Sequence, residues 1–236
     1  MATALAPDSV VDLLQHLPLF AGLPDAALAA LAGQARVDTF DRDAVIFYQG
    51  DPCDRVWLLR LGQVKIIHQE TDGREVILEM IAPGEPFGGA VVFLPQHPAT
   101  AKAMEPCETV SLANDAYARF VTEHPTVTLK LLRLLGGRLQ SMMSLNVLAG
   151  ERVERRMAHI LLKLADRVGR PDPEGTLITI SLSRQDLADM SGTTLETAIR
   201  TMSRFRADGI IKTRRGGYLV ITNEAALQQL ARKEAA

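Results

Sequence analysis

Glu196 and Arg200 are the two side chains whose type and spacing are best suited to recognising another molecule. They lie four residues apart in the segment SLSRQDLADMSGTTLETAIRTMSRFRADGI, residues 181–210. At helical spacing they share one face, one turn apart. A guanidinium there can donate two hydrogen bonds to guanine O6 and N7, and a carboxylate can accept one from the cytosine amino group. The pair therefore predicts contact with base edges in the major groove of DNA.

Local signals in this segment predict two short helices joined by a tight turn. Ser183 and Asp186 form a start resembling a capping box, with Asp in place of the usual Glu, and Gly192 can take positive φ in the turn. Thr193 is predicted to cap the second helix, and Glu196 would complete its capping box, which is a structural role that needs no DNA. Two helices with such a turn form a helix-turn-helix, whose second helix enters the major groove.

The other predicted DNA contacts surround this pair. Thr194 and Ile199 are assigned to base reading beside Glu196 and Arg200, and Arg200 has no local structural explanation. Phosphate contacts are assigned to polar and cationic side chains of the same region: Ser183, Arg204, Arg206, Lys212, Arg214 and Arg215. The sequence RRGG can form the tip of a β-hairpin wing beside the helices.

The chain is acidic at its front and basic at its back. Its 236 residues suffice for one large or two ordinary domains, and the formal net charge is −2. Residues 1–121 carry eight Lys/Arg against sixteen Asp/Glu, whereas residues 152–215 carry thirteen against eight. A basic back half suits an anionic polymer. An ordinary solvated surface is the alternative.

Cysteine content, the amino-terminal sequence and hydropathy argue against a disulfide-rich, a cysteine-metal, a secreted or a membrane protein. Cys53 and Cys107 are the only cysteines, so we expect neither a disulfide framework nor a metal site of the cysteine type, and a reducing cytoplasm is the simplest expectation. The start MATALAPDSVVDLLQHL lacks the basic and apolar regions of a signal peptide. No run is long and apolar enough to span a membrane, and we expect no membrane partner.

Alternating apolar runs separated by turn residues predict a β-rich front region. Two helical patterns, PDSVVDLLQHL and PDAALAALAGQA, open it. The spacing of the runs that follow is typical of a sandwich or barrel: AVIFYQGD, RVWLLRLG, QVKIIHQETDG, REVILEMIAPG, EPFGGAVVFL and CETVSLAN. Asp72-Gly73 between two of these runs predicts a hairpin turn.

A long helix is predicted from about residue 124 to 149. Its apolar residues recur at three-four spacing, which is typical of a coiled-coil seam and hence of a homodimer. The predicted seam is Leu132, Leu135, Leu139, Met142, Asn146 and Ala149. Gly136 and Gly137 each cost about 1 kcal/mol relative to Ala within a helix, which favours close approach of a neighbour or a bound group. Packing of the helix on its own domain is the alternative.

The back region is predicted to hold a helix over 152–168, a Pro/Gly loop GRPDPEG, a strand LITI, the helix-turn-helix, a hairpin IIKT–RRGG–YLVI and a final helix. The predicted domains are 1–121, a β-barrel sensing domain, 122–152, a dimerisation helix, and 153–236, a DNA-binding domain.

These features together resemble the cyclic-AMP receptor / fumarate-nitrate regulator (CRP/FNR) family over nearly the whole chain. The most specific stretches are SRQDLADMSGTTLETAIRTMSRFRADGII, YQGDPCDRVWLLRLGQVKI and PGEPFGGAVVF. The resemblance implies an α+β fold: a double-stranded β-helix (jelly-roll-like) sensor domain, a long dimerisation helix and a winged helix-turn-helix. It also implies a dimeric transcription regulator that binds palindromic double-stranded DNA, with RNA polymerase as a partner if it activates.

The sequence departs from the cyclic-nucleotide sensors of this family. Where those sensors have a Glu for the ribose, this chain has Gly89, and where they have Arg-Ser for the phosphate it has Ala99 and Thr100. Met142 and Met143 replace the hydroxyl side chains that reach adenine. We therefore expect no cyclic AMP. The predicted effector pocket is Phe87, Gly88, Gly89, Ala99, Thr100, Gly136, Leu139, Met142 and Met143.

The cysteines, the histidines and the family resemblance limit the other candidate effectors and functions. Two cysteines cannot supply the four thiolates of an iron–sulfur cluster. The five histidines are scattered singly, unlike the clustered ligands of a cupin-like enzyme, and each is expected at the surface or at a cap. The front half is similar to the haem-dependent nitric-oxide regulators of the family, and haem needs an axial His, Met, Cys or Tyr. Haem with a diatomic gas, another small ligand and no effector stay open.

The favoured function is a DNA-binding regulator rather than an enzyme. The alternative is a barrel-based ligand-binding or enzymatic module whose helical tail only mediates protein contacts.

Overall fold

The computed structural model describes residues 7–69, 75–88, 94–147 and 151–232, and it describes side chains in these ranges except for 7–9 and 140–147. The chain forms two compact units, Met1–Gln140 and Ser141–Ala236. The division falls inside the long helix, and the three predicted domain limits stay a prediction.

The first unit is a β-sandwich of two four-stranded antiparallel sheets, ordered β1-β8-β3-β6 and β2-β7-β4-β5. Its strands are β1 (Ala35–Phe40), β2 (Val45–Phe47), β3 (Arg55–Leu61), β4 (Val64–Gln69), β5 (Glu75–Ile81), β6 (Pro86–Phe87), β7 (Thr100–Ala103) and β8 (Cys107–Ala113). β4 and β5 pair antiparallel on either side of Asp72-Gly73, as the hairpin prediction requires, although the turn lies outside the described residues.

The described residues of the first unit also form the helices α1 (Pro7–His16), α2 (Asp25–Ala32), α3 (Asn114–Glu123) and α4 (Pro125–Val147), and the last residues of α4 extend past the division. Leu14, Leu28 and Leu31 bury α1 and α2 in a core shared with β3 and β8. A second core, between the sheets, contains Phe47, Trp57 and other apolar residues. The α+β fold and the long helix are confirmed, whereas α3, β1 and β7 were not among the predicted elements.

The second unit packs its helices on a small sheet ordered β11-β12-β10-β9. Its elements are α5 (Val153–Val168), β9 (Gly169–Asp172), β10 (Gly175–Ile178), α6 (Arg184–Ser191), α7 (Leu195–Ala207), β11 (Ile211–Thr213), β12 (Leu219–Ile221) and α8 (Glu224–Ala231). The predicted helix-turn-helix, wing hairpin and last helix are all present.

The loop predicted over GRPDPEG is wrong. Residues Gly169–Asp172 form β9, which pairs antiparallel with β10. Pro171 misled the prediction because proline cannot donate to a sheet ladder, yet β9 is an edge strand, where that is tolerated. The strand places Asp172 and Glu174 in a hairpin of the same sheet as the wing.

Candidate nucleic-acid interface

The first helix of the pair begins as the sequence predicts. The backbone N–H of Asp186 donates to Ser183 Oγ at 3.0 Å, and the backbone N–H of Ser183 donates to Asp186 Oδ2 at 3.0 Å, which completes the capping box. Gly192 ends α6 with φ of 58°, in the left-handed region. The tight turn therefore forms because a residue without a Cβ adopts this conformation at no steric cost.

The predicted cap of the second helix is wrong by one residue. Thr194 rather than Thr193 precedes α7 in extended conformation, and its Oγ1 accepts from the backbone N–H of Thr197 at 3.3 Å. Glu196 is thus the second residue of the helix and cannot complete a capping box, which needs the third position. Glu196 therefore has no capping role that would explain it without DNA. Thr194, which was assigned to base reading, caps the helix instead.

Helix α7 has one buried face and one exposed face. Ala198, Thr201, Met202 and Phe205 are buried in the unit. Glu196 and Arg200 are exposed, with Ile199 (44% exposed) between them. In the described part of the chain, neither Glu196 nor Arg200 has a hydrogen-bond or ion-pair partner. A helix that held these side chains for internal packing would not leave both free.

The predicted phosphate cations fall into two groups. Arg206 and Arg215 are exposed, and no ion pair to either is found among the described residues. Arg204 contacts Glu154 at 3.4 Å and Asp208 at 3.7 Å. Lys212 and Arg214, which lie on the wing, are paired with carboxylates of the β9–β10 hairpin. Sequence reasoning missed these pairs because their partners lie about forty residues away along the chain.

The wing is tied to the start of α6. The backbone N–H of Arg214 donates to Tyr218 O at 2.8 Å, which closes the hairpin of β11 and β12. Leu182 N donates to Gly217 O at 3.1 Å, and Ser181 Oγ donates to Gly216 O at 2.5 Å. Ser183, a predicted phosphate contact, is exposed next to these bonds. The wing tip and the amino-terminal end of α6 therefore form one surface.

Arg184 is a cation of this surface that sequence reasoning did not single out. Its side chain lies within 3.5 Å of Thr213 Oγ1 on the wing. Burial lowers the pKa of its guanidinium, and the nearby charge of Arg206 lowers it further. Two cations held close together create a site of positive potential that attracts an anion.

The effector region of the first unit is an aromatic cluster. Phe47 stacks on His97, at 3.8 Å between ring centroids, and packs tilted against Trp57 at 4.8 Å, while His97 and Trp57 lie 5.7 Å apart. Phe87 lies 6.0 Å from Trp57. Gly88 has φ of 71°, and a Cβ on it would lie 2.8 Å from Trp57 Cε3, so only glycine fits against the indole. The predicted effector residues Phe87 and Gly88 thus contact a filled core.

The remaining predicted effector residues are only partly brought together. Ala99 and Thr100 are buried, and Thr100 Oγ1 accepts from the backbone N–H of Gln49 at 2.9 Å. Gly136 is exposed on α4, and a Cβ there would meet no atom within 4 Å. Leu139 is 61% exposed. Several predicted residues lie outside the described side chains: Gly89, Met142, Met143, Asn146 and Ala149.

His97 is a buried polar residue that the sequence prediction placed wrongly at the surface. It is 2% exposed, and its buried Nε2 has no hydrogen-bond partner among the described residues. Burial lowers the pKa of the imidazole, against the opposing effect of Asp51 and Asp54. Its backbone is fixed, because His97 N donates to Asp51 O at 2.8 Å and its carbonyl accepts from Gly50 N at 2.9 Å.

A cavity of about 600 Å³ lies between α3 and α4. Its lining includes Tyr117, Val121, Leu131, Leu132, Leu135 and Arg138. Leu132 and Leu135 belong to the predicted seam, and Leu132 is 59% exposed. The cavity thus continues the apolar face of α4.

Metal ligation and membrane insertion find no support in the described ranges. They contain no group of three or more His, Cys, Asp or Glu side chains that could hold a metal ion. None of their helices has the length and apolar character needed to cross a bilayer.

Comparison with known proteins identifies both units. Residues 37–124 match the family model of the cyclic nucleotide-binding domain. Residues 155–230 match the model of the Crp-like helix-turn-helix domain. The second match spans α6, α7 and the wing, so these elements form a DNA-binding domain.

Full-length relatives give the same assignment. A CRP-like cAMP-activated global transcriptional regulator of Mycobacterium tuberculosis is 30% identical over 223 residues, which is 94% of this chain and 99% of that protein. The chain belongs to the CRP/FNR family. A global nitrogen regulator of Synechocystis is 31% identical over 197 residues, 82% of this chain and 87% of the relative. This CRP/FNR protein is therefore a DNA-binding transcription regulator.

Solved structures confirm the fold of this CRP/FNR regulator. FixK2 from Bradyrhizobium japonicum superimposes with a TM-score of 0.76 at 24% identity, covering 85% of this chain and 99% of its own. A variant of CooA from Carboxydothermus hydrogenoformans gives 0.75 at 19% identity, covering 98% of each chain. At these identities the likeness shows the fold alone.

Proposed function

We propose that this regulator is a homodimer that reads a palindromic double-stranded DNA site through α7, under control of an effector other than cyclic AMP. The observation that carries the DNA part is the pair Glu196 and Arg200 in the first two turns of α7, whose side chains are exposed and have no partner among the described residues. Arg200 would grip guanine and Glu196 would accept from cytosine. Thr194 and Ile199 border them and would contact neighbouring bases.

Phosphate contacts would fix the helix in register without reading sequence. Arg206, Arg215 and Ser183 are exposed on the surface formed by α6, α7 and the wing. Arg204, Lys212 and Arg214 would contribute after giving up their carboxylate partners. Two such surfaces in a symmetric dimer would meet half-sites about 34 Å apart, one turn of DNA.

Dimerisation through α4 is supported by the apolar surface of that helix. Leu129, Leu132 and Leu139 are each more than half exposed, beside the cavity between α3 and α4. Contiguous apolar surface of this kind usually marks an interaction site. A second copy of α4 would cover it, and the family commonly acts as dimers.

The effector proposal rests on the absence of charge where a cyclic phosphate would bind. Ala99 and Thr100 are buried and uncharged, and the Thr100 hydroxyl already accepts a backbone hydrogen bond. An anion there would lose its hydration without gaining a cation, which is costly. The Mycobacterium relative is described as cAMP-activated, whereas the Synechocystis relative is described only as a nitrogen regulator. Relatives therefore do not fix the ligand.

Haem with nitric oxide stays a prediction of the family resemblance, and neither His97 nor Tyr117, two candidate axial ligands among the described residues, is arranged to bind iron. His97 offers an imidazole nitrogen that has no partner within the described ranges, but that nitrogen is buried and the ring face lies on Phe47. Tyr117 borders the cavity beside α4, but burial raises the pKa of its phenol, which disfavours the phenolate that iron would bind. Binding would require the aromatic cluster to rearrange.

We infer no enzymatic activity, a cytoplasmic location and, if the regulator activates, contact with RNA polymerase. These follow from the regulator function of its relatives rather than from a site of its own.

Three measurements test this proposal. Fluorescence anisotropy with a palindromic probe carrying TGA-like half-sites and a scrambled probe should show preference for the palindrome. Isothermal titration calorimetry with cyclic AMP should show no micromolar binding, and such binding would contradict the effector proposal. Haem titration, followed by absorption with and without nitric oxide, tests haem binding directly. If no Soret shift appears, haem is excluded as the effector.

A further inference from the structure

Four charged side chains form a cluster between the β9–β10 hairpin and the wing: Asp172, Glu174, Lys212 and Arg214. Arg214 Nη1 donates to Asp172 Oδ2 and Nη2 donates to Oδ1, both at 2.8 Å. Glu174 lies 3.4 Å from Arg214 Nη2 and also pairs with Lys212 Nζ. We call these residues the wing ion-pair cluster.

We propose that Asp172 and Glu174 compete with DNA phosphates for Lys212 and Arg214, and thereby set the affinity of the regulator for DNA and its dependence on salt. The inference rests on the proposed role of the wing in contacting phosphate. The two nitrogens of Arg214 that hold Asp172 are the same fork that binds a phosphate bidentately. One guanidinium cannot present that fork to both anions at once.

The carboxylates are held in place before DNA arrives. The pairing of β9 with β10 fixes the hairpin, and the backbone N–H of Glu174 donates to Asp172 Oδ1 at 3.1 Å. The Asp172 side chain is only 8% exposed. That backbone hydrogen bond, and then Arg214, lower the pKa of Asp172, while Lys212 lowers the pKa of Glu174. Both carboxylates are therefore charged at neutral pH.

The cluster acts on a subset of the predicted phosphate contacts. Arg215 directly follows Arg214 in the chain, and Arg206 lies on α7, yet no ion pair to either is found in the described ranges. The side chains of Lys212 and Arg214 are 57% and 41% exposed, so a phosphate can reach both cations, and ion pairs of exposed side chains are weak enough to displace. The cluster therefore lowers affinity without blocking binding, and its effect is confined to the wing.

Neutral variants of matched shape test this competition. Asp172→Asn with Glu174→Gln should raise affinity for cognate and scrambled DNA alike, by about three- to tenfold at low salt, since ion pairs made by exposed cations contribute little each. The slope of log K against log salt should steepen by up to about 0.9 for each cation set free. Asp166→Asn removes a charge from an exposed position on α5 and serves as the control for net charge.

A double-mutant cycle separates competition from long-range charge. In a Lys212→Ala, Arg214→Ala background, the two carboxylate changes remove two charges and should produce no gain, in log K, beyond twice that of Asp166→Asn, which removes one. A gain above that level in this background would overturn the proposal, as would unchanged affinity and slope in the original background. Circular dichroism and thermal unfolding confirm that each variant is folded, and Glu174→Gln alone provides a second, milder variant.

Binding by the wild-type protein distinguishes failure of the competition proposal from failure of the proposed DNA-binding function. Wild-type binding with unresponsive carboxylate variants contradicts the competition alone. Failure of the wild type to bind either probe contradicts the proposed function and the competition together.

Discussion

The imidazole of His97 lies on the ring of Phe47, with 3.8 Å between centroids and 17° between the planes. The stack buries an imidazole whose Nε2 finds no hydrogen-bond partner in the part of the chain that the structure describes. An unsatisfied buried polar atom costs about 1–3 kcal/mol, so the position is expensive to maintain for packing alone. His97 lies two residues before Ala99 and three before Thr100, in the segment predicted to meet the effector.

His97 should make the first unit less stable as pH falls below about 6.5, the ordinary histidine pKa. Burial lowers the pKa of His97 in the folded protein. Between the folded and unfolded pKa values, the unfolded chain therefore binds a proton that the folded chain does not, and the free energy of unfolding decreases. His97→Phe preserves the stack and should flatten this dependence. Fluorescence of Trp57, the only tryptophan, reports unfolding of the first unit.

The pH dependence of wild-type stability alone cannot be assigned to His97, because His159 is expected to contribute to it. Burial lowers its pKa as well, with Lys163 and Arg155 nearby, and it lies in the second unit. His16→Phe, at an exposed position, controls for the loss of an imidazole. An unchanged pH dependence in His97→Phe would show that His97 does not carry the effect.

Leu139→Glu should convert the dimer to monomers that no longer shift palindromic DNA. Leu139 is 61% exposed on α4, so a carboxylate there costs a single protomer little but would be buried without a partner in the interface. Light scattering after size exclusion measures the mass. Leu94→Glu, at a similarly exposed leucine outside α4, is the matched control. A fully dimeric Leu139→Glu protein would refute the seam.

Thr194→Ala should destabilise α7 by about 1 kcal/mol, because it removes the observed helix cap. Thr193→Ala should not. Thermal unfolding of the second unit compares the two, and equal losses would contradict the assignment of the cap.

Glu196→Ala should change base preference with little loss of stability, since Glu196 completes no capping box. Selection from randomised half-sites measures the preference, and thermal unfolding measures the stability. If Glu196→Ala loses as much stability as Thr194→Ala and keeps its base preference, Glu196 stabilises the helix and does not read bases.

The helix-turn-helix was predictable because its signals are local. Ser183, Asp186 and Gly192 specify a cap and a turn within ten residues, and the structure has both. The misplaced Thr193 cap reflects the same locality: two adjacent threonines offer the same hydroxyl, and the backbone conformation at Thr194 decides between them.

Features that depend on distant partners could not be predicted. β9 contains Pro171, which only its place at the sheet edge permits. Lys212 and Arg214 looked like free cations until the sheet brought Asp172 and Glu174 beside them. His97 carries no sequence signal of burial, since its position depends on backbone bonds between residues about fifty positions apart.

Arg200→Ala tests the central claim most directly, namely that α7 reads base sequence. Binding to cognate, singly substituted and scrambled probes is measured at fixed salt, with Arg215→Ala as the control for a phosphate contact. We expect Arg200→Ala to cost about 1–3 kcal/mol on the cognate site and to relax preference at one base pair. Arg215→Ala should weaken all probes alike. Equal loss by Arg200→Ala on cognate and scrambled DNA would contradict the assignment of α7 as the recognition helix.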